Sequence, residues 1–236
     1  MNFNDKMRVA IFGSSGGIGS ALVDQLGNDP RVARLYPISR TKTCSETLIL
    51  NYDDEKTISA AAELIKADGP LDLVIVASGL LHDSNGLLPE KTFRSLESAS
   101  LEKLYRVNVI GPALVAKHFI PLLSPDRKNV FATLGARVGS ITDNNLGGWY
   151  SYRASKSALN QLIKTASIEF KRKKSNIIFL SLHPGTVDTK LSKPFSNKKK
   201  LFTTSLAAKK ILKTLNNASA EQSGSLIDYD GNIIPF

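Results

Sequence analysis

The chain has 236 residues, 42% of them hydrophobic and 22% charged, with a net charge of +10 from 31 basic and 21 acidic side chains. That is enough apolar material for one large core, which excludes a disordered chain and makes a single domain the simplest organisation. Cys44 is the only cysteine, so no internal disulfide forms, and the longest apolar stretch, near 71–81, falls well short of the ~20 residues needed to span a bilayer.

Taken in chain order, short β-rich runs alternate with helical patterns. Residues 7–12 are an apolar run ending in glycines and read as a buried strand, with a helix over 18–26 after it. Strands are expected at 34–39 and 47–50. Asp53 or Asp54 caps a helix running to about Lys66, with Ile58, Ala61, Ala62 and Ile65 on its inner face. The nearly all-apolar stretch 71–77 suits a central parallel strand covered on both faces. Ser100 is the expected cap of a long helix carrying Leu104, Val107, Leu114 and Val115. A fifth strand is expected over 129–134. A long helix over 150–173 should turn Leu159, Leu162, Ile163 and Ala166 inward. A sixth strand over 176–182, a helix over 205–215 and a short strand near 226–228 complete the series. Such alternation predicts an α/β fold, a parallel sheet with helices on both faces and right-handed crossovers, in one domain over 1–236.

The first strand runs into Gly13-Ser14-Ser15-Gly16-Gly17-Ile18-Gly19 and then directly into a helix. Bare backbone lets phosphates approach, and a helix N-terminus supplies unpaired N–H donors. The alternative is an ordinary glycine-rich turn. At the end of strand two an acidic residue would bind ribose hydroxyls, whereas an arginine suits a 2′-phosphate. Here the chain reads Ser39-Arg40-Thr41-Lys42, which favours NADP over NAD unless Arg40 is simply a surface arginine. Tyr152 and Lys156 lie four positions apart and meet on one helix face. A nearby ammonium favours the phenolate, so the pair is expected to lower the tyrosine's pKa and exchange a proton with a substrate oxygen.

Two basic runs, 171–174 and 198–200, carry much of the charge excess. They lack interleaved aromatic residues and read as solvated segments rather than a nucleic-acid or membrane surface. His82, His118 and His183 have no ligand-like spacing, so no metal site is expected. The first apolar run, Val9 to Phe12, is too short for a secretory signal, and the expected location is cytoplasmic.

Together these motifs resemble the short-chain dehydrogenase/reductase family over essentially the whole chain. The family's G-x-x-x-G-x-G matches Gly13, Gly17 and Gly19, its structural asparagine matches Asn108, its Y-x-x-x-K matches Tyr152 and Lys156, and its proline-glycine turn matches His183-Pro184-Gly185-Thr186-Val187-Asp188-Thr189. The stretch 147–160 and the tail Asp228-Tyr229-Asp230-Gly231 look most like the C-factor and sniffer-like branch. The resemblance implies a Rossmann-type doubly wound domain and an NADP-dependent oxidoreductase that reduces a carbonyl or oxidises the alcohol. It implies a cofactor site on Gly13, Ser14, Ser15, Gly17, Ile18, Gly19, Ser39, Arg40, Asn51, Tyr52, Ser78 and Gly79. Pro184, Gly185, Val187 and Thr189 would complete it around the nicotinamide, with Asn108, Tyr152 and Lys156 alongside. Tyr152 would donate the proton, Lys156 would tune it and hold the ribose, and Asn108 would secure a water, unless Asn108 only bonds strand backbone. The resemblance also implies pairing through the helices holding Asn108 and Tyr152, as a homodimer or homotetramer.

This chain departs from the pattern at the serine before the tyrosine, where Ala136 stands. Ser140 is the nearest replacement hydroxyl and Thr133 another. Asn51 replaces the usual aspartate, and 76–79 replaces the family's N-N-A-G. Losing one oxyanion donor costs roughly 3–4 kcal/mol elsewhere. The alternative reading is therefore a weakly active or non-catalytic NADP(H)-binding signalling or scaffold protein. Residues 190–203, with Leu191, Phe195, Leu201 and Phe202, are expected to cover the substrate, and 80–88 and 140–149 to wall it, with Trp149 either in that wall or in the core.

Overall fold

A computed structural model describes residues 3, 5–124, 127–195 and 201–236 of the chain. The lysine run 198–200, and with it part of the expected covering segment, lies outside the described residues. Among the described residues eight strands form one sheet: β1 (Met7–Phe12), β2 (Val32–Ser39), β3 (Leu48–Ile49), β4 (Leu73–Val76), β5 (Asn129–Leu134), β6 (Ile177–His183), β7 (Ser225–Asp228) and β8 (Ile233–Ile234). Their spatial order is β3-β2-β1-β4-β5-β6-β7-β8. Every neighbouring pair is parallel except β7 and β8.

Among the described residues six α-helices cover the sheet: α1 (Gly17–Gly27), α2 (Glu55–Lys66), α3 (Ser98–Tyr105), α4 (Gly111–Phe119), α5 (Tyr150–Arg172) and α6 (Thr204–Asn217). The period-2 alternation of the strands sorts their side chains between two cores. Val9, Ile11, Ile75, Ala132 and Leu180 meet Leu22 and Leu26 of α1 and Ile211 and Leu215 of α6. Ala10, Phe12, Val76, Phe131 and Phe179 meet Ile58 and Ile65 of α2, Phe119 of α4 and Ile163 of α5. Both faces are therefore dry, which is why the central strands read as unbroken apolar runs. The strand order reverses between β1 and β4. At such a switch point the loops leaving two adjacent strands part and leave a crevice at their carboxyl ends.

Several expected details shift. Asp54, not Asp53, caps α2, by accepting from the Lys56 N–H at 3.0 Å. Ser100 does not cap the next helix, because α3 begins at Ser98. That helix is also not continuous. Residues Arg106–Ile110 form a π turn, closed by the Gly111 N–H donating to the Arg106 carbonyl. A single π turn inside a helix has no apolar period of its own, so the sequence pattern does not single it out. Leu162 is 39% exposed rather than inward. It sits on the rim of a narrow apolar groove between α4 and α5, with Ala113, Ala116 and Ala166. The sequence pattern does not predict the two-residue strand β8. It pairs antiparallel with β7, which the β-rich pattern of two residues cannot announce.

Candidate active site

The phosphate-type turn follows β1 into the crevice. Gly13 adopts φ +77, and a side chain there would meet the Ser78 backbone N at 2.6 Å. Gly19 packs still closer, since a Cβ would lie 2.1 Å from the Gly13 carbonyl oxygen. The turn is thus a backbone cradle drawn against the loop after β4. Gly16 caps α1 with no side-chain hydrogen bond, so the first amides of the helix are unclaimed by a cap. Ser14 is 3% exposed, and its buried hydroxyl has no hydrogen-bond partner. An orphaned hydroxyl beside open helix amides suits the phosphates of a dinucleotide. Thr189, from the turn after β6, reaches Gly17 from the other side, and the Ser192 hydroxyl holds that turn by donating to the Val187 carbonyl.

Arg40 is exposed just beyond β2, while the Ser39 hydroxyl beneath it donates to the Thr41 carbonyl. Tyr52 is buried and shares a 2.7 Å hydrogen bond with Ser78. Burial pushes its phenol up to about 12. Asn51 is exposed, and its side-chain oxygen accepts from the Asp53 N–H at 3.1 Å, so that oxygen serves its own turn.

Tyr152 and Lys156 stand on the first turns of α5, 7% and 3% exposed. The Lys156 Nζ donates to the Leu134 carbonyl at 2.7 Å and lies 5.8 Å from the Tyr152 ring centre. No hydrogen bond reaches the Tyr152 hydroxyl among the described residues. The expected acidification is reversed in the protein alone. Burial raises the phenol well above its ordinary value, and it pushes Lys156 down to about 8. Desolvation penalises each charged form, and the ammonium, held by a carbonyl, does not offset it.

Asn108 sits in the π turn, fully buried. Its side chain accepts from the Leu80 N–H and donates to the Leu80 carbonyl, both at 2.8 Å, and donates to Ser155 Oγ at 3.0 Å. Ser155 in turn donates to the Tyr152 carbonyl at 2.8 Å. Asn108 therefore ties the loop after β4 to α5, through backbone on one side and a hydroxyl on the other. Gly79 lies between Asn108 Oδ1 and Lys156 Nζ.

Around Tyr152 lies a small apolar cluster. Leu81, Leu87 and Leu104 pack with Ala136, Val138, Trp149, Leu191 and Phe195 around the phenol. Trp149 meets Tyr152 edge-on at 6.1 Å and Phe195 at 5.3 Å, so the indole belongs to this wall. Ala136 points a methyl group into the cluster where the family pattern has a hydroxyl. Ser140 does not replace it. Its hydroxyl donates to the Pro235 carbonyl beside β8 and accepts from the Asp143 N–H, so both capacities are committed to the loop. Thr133 does not replace it either, because it lines the groove between α4 and α5, where its hydroxyl is buried without a partner.

Two contributors escaped the sequence reading. His82 shares its Nε2 with the carbonyls of Lys190 and Leu191 at 3.1 and 3.2 Å, and its ring meets Phe195 at 5.4 Å. It ties residues 190–195 to the loop after β4. Glu90 is 4% exposed and reaches the start of α5. Neither lies in a local pattern that would single it out. Among the described residues no three His, Cys, Asp or Glu side chains gather as a metal site would require, and no helix is long and apolar enough to cross a membrane.

His183 ends β6 with its Nδ1 buried and unpartnered, and burial, reinforced by Arg137, pushes its imidazole down to about 4. As pH falls from about 6.5 to about 4, the unfolded chain takes up a proton that the folded chain refuses. Stability from this group is therefore present above that window and is lost through it, by roughly 1.4 kcal/mol per pH unit and about 3 kcal/mol in all. Urea titrations at neutral pH and near pH ~4.5 should show this loss shrinking in a His183→Asn variant. An equal loss in both proteins would place the acid sensitivity elsewhere.

Comparison with known proteins agrees with this geometry. The short chain dehydrogenase family profile matches residues 7–200. A 1-hydroxy-2-glutathionyl-2-methyl-3-butene dehydrogenase from Rhodococcus sp. (strain AD45) is 30% identical, covering 97% of this chain and 99% of its own. The C-signal protein of Myxococcus xanthus is 27% identical over 71% of this chain and 94% of its own. Among solved structures, the carbonyl reductase Sniffer of D. melanogaster superposes with a TM-score of 0.84 at 23% identity, covering 97% of this chain and 99% of that one. An NADPH-bound carbonyl reductase from chicken fatty liver gives 0.85 at 22% identity, covering 99% and 100%.

Proposed function

The chain belongs to the short-chain dehydrogenase family, and on that footing we propose that it is an NADP-dependent reductase of small, apolar carbonyl compounds, able to run in reverse on the alcohols. The observation that carries this reading is the Tyr152 hydroxyl, unpartnered within an apolar cluster, one helical turn from a buried lysine. The cofactor, when bound, supplies the hydride. Gly13, Ser14, Ser15, Gly17, Ile18 and Gly19 would hold its phosphates, and Arg40 its 2′-phosphate. Asn51, Tyr52, Ser78 and Gly79 would flank the adenosine side, and Pro184, Gly185, Val187 and Thr189 the nicotinamide.

The chain's own residues then do three things. Tyr152 holds a proton on its hydroxyl, because burial keeps the phenol neutral, and a neutral phenol is the form a donor to a carbonyl oxygen needs. Lys156, near its own titration midpoint at about 8, is the adjacent group able to restore that proton. The wall of Leu81, Ala136, Val138, Trp149 and Phe195 excludes water and favours an uncharged apolar substrate. With a methyl at Ala136, polarisation of the carbonyl rests on Tyr152 alone, which makes turnover modest. The exposed Leu162 and the small residues of the groove between α4 and α5 support pairing of two copies there, as a homodimer or half of a homotetramer. The proposed setting is the cytoplasm.

A panel of aromatic aldehydes, ketones and quinones tests the reading. NADPH should be consumed with at least one compound, and faster than NADH. Arg40→Asp should weaken NADPH by about tenfold or more while changing NADH little. Equal losses for the two cofactors would refute the 2′-phosphate role of Arg40, and a panel without any turnover would refute the reductase.

A further inference from the structure

We propose that Glu90 is a positioning residue for the proton donor: it supplies, from a distant loop, the N-terminal cap that α5 lacks, and so fixes where the Tyr152 hydroxyl stands. This rests on the reading of Tyr152 given above. A helix begins with backbone N–H groups that have no partner within it, and a side chain at the cap position commonly accepts from one of them. On α5 the cap position is Trp149, whose side chain makes no such bond. Trp149 also holds a left-handed conformation, φ 54 and ψ 43. A bulky residue adopts that conformation only where its surroundings impose it.

Glu90 is what imposes it. Its backbone carbonyl accepts from the Trp149 N–H at 2.6 Å. Its carboxylate accepts from the Ser151 N–H at 3.2 Å through one oxygen and from the Ser151 hydroxyl through the other. Glu90 is 4% exposed and Ser151 fully buried, so water does not compete for these bonds. The contact spans 61 residues of sequence and joins the segment after β4 to the start of α5. A carboxylate at a helix N-terminus also meets the favourable end of the helix dipole. Tyr152 is the next residue along the same turn, and its carbonyl is already tied through Ser155 to Asn108. The first turn of α5 is thus clamped at both sides, by Glu90 before the phenol and by Asn108 behind it. Trp149 is set by the same clamp, so the pocket wall and the proton donor move as one piece.

Two variants test this. Glu90→Ala removes both carboxylate acceptors of Ser151 and leaves the backbone carbonyl that accepts from the Trp149 N–H. Glu90→Gln keeps an acceptor for the Ser151 N–H and offers a donor to its hydroxyl oxygen. Hydrogen exchange of the segment 149–156 should quicken about tenfold or more in Glu90→Ala and return towards wild type in Glu90→Gln, with exchange in the central strands unchanged. In the same protein kcat should fall about tenfold or more, with the Kd for NADPH within about twofold of wild type, and Glu90→Gln should recover most of the rate. Unchanged exchange in Glu90→Ala would overturn the clamp. Faster exchange with an undiminished kcat would overturn the positioning role. A parallel loss of rate, NADPH affinity and protection throughout the sheet would reduce Glu90 to a general structural residue. A wild-type protein silent on every carbonyl would overturn the reductase reading instead, and the exchange measurement would still score the clamp by itself.

Discussion

Tyr152→Phe is expected to lower kcat by about 10³-fold while leaving the Kd for NADPH within about twofold of wild type. The substitution removes one oxygen and little else. The ring keeps its place against Trp149 and among Leu81, Leu87 and Leu104. The lost hydroxyl makes no hydrogen bond within the described protein, so no partner is orphaned by its removal. Folding should therefore be preserved, and the thermal midpoint unchanged or slightly raised, since a buried polar group without a partner carries a cost. The effect should be large because neither neighbouring position offers a second hydroxyl: Ala136 has none, and Ser140 is committed to Pro235 and Asp143. Stopped-flow or steady-state NADPH consumption on any active carbonyl decides the matter. A variant as fast as wild type would remove Tyr152 from the chemistry.

Gly19→Ala should act at the other end of the site. The added methyl group would lie 2.1 Å from the Gly13 carbonyl oxygen and 2.8 Å from the Gly13 carbonyl carbon. Both are backbone atoms, so no side chain can swing aside, and the turn itself must open. We expect the Kd for NADPH to rise about 100-fold and the fold to lose roughly 1–3 kcal/mol, the usual cost of overpacking. Gly27→Ala is the matched control on the same helix. There the nearest atom to the new methyl is Leu35 Cδ2 at 4.0 Å, an ordinary contact. That variant should bind NADPH as wild type does. If calorimetry found the two variants alike in affinity, the turn after β1 would not be the nucleotide cradle.

The parts of this site visible in the sequence are those imposed by backbone or by short spacing. A turn that must have no side chains shows itself as the glycines of 13–19. Two groups that must share a helix face show themselves as Tyr152 and Lys156. The alternation of strands and helices carried the sheet and its two cores, because period-2 and period-3.6 patterns are local. What stayed hidden depends on contacts between distant segments or on burial. Glu90 stands between a proline and a lysine, and nothing nearby marks its partner on α5. Ser140 looked like a spare hydroxyl because its partner, Pro235, lies 95 residues away on a segment whose strand was not expected. The phenol titrates opposite to what spacing implies, because spacing reveals a neighbouring charge but not the loss of water around both groups. The π turn escaped because it inserts a single residue into an otherwise helical rhythm.

Trp149 is the chain's only tryptophan, and it touches both Tyr152 and Phe195. Its fluorescence is consequently a built-in optical gauge of the pocket, with no second indole to dilute the signal. Emission and quenching of that ring track what enters above the phenol and any displacement of Phe195, so occupancy can be followed in solution without a label and without turnover.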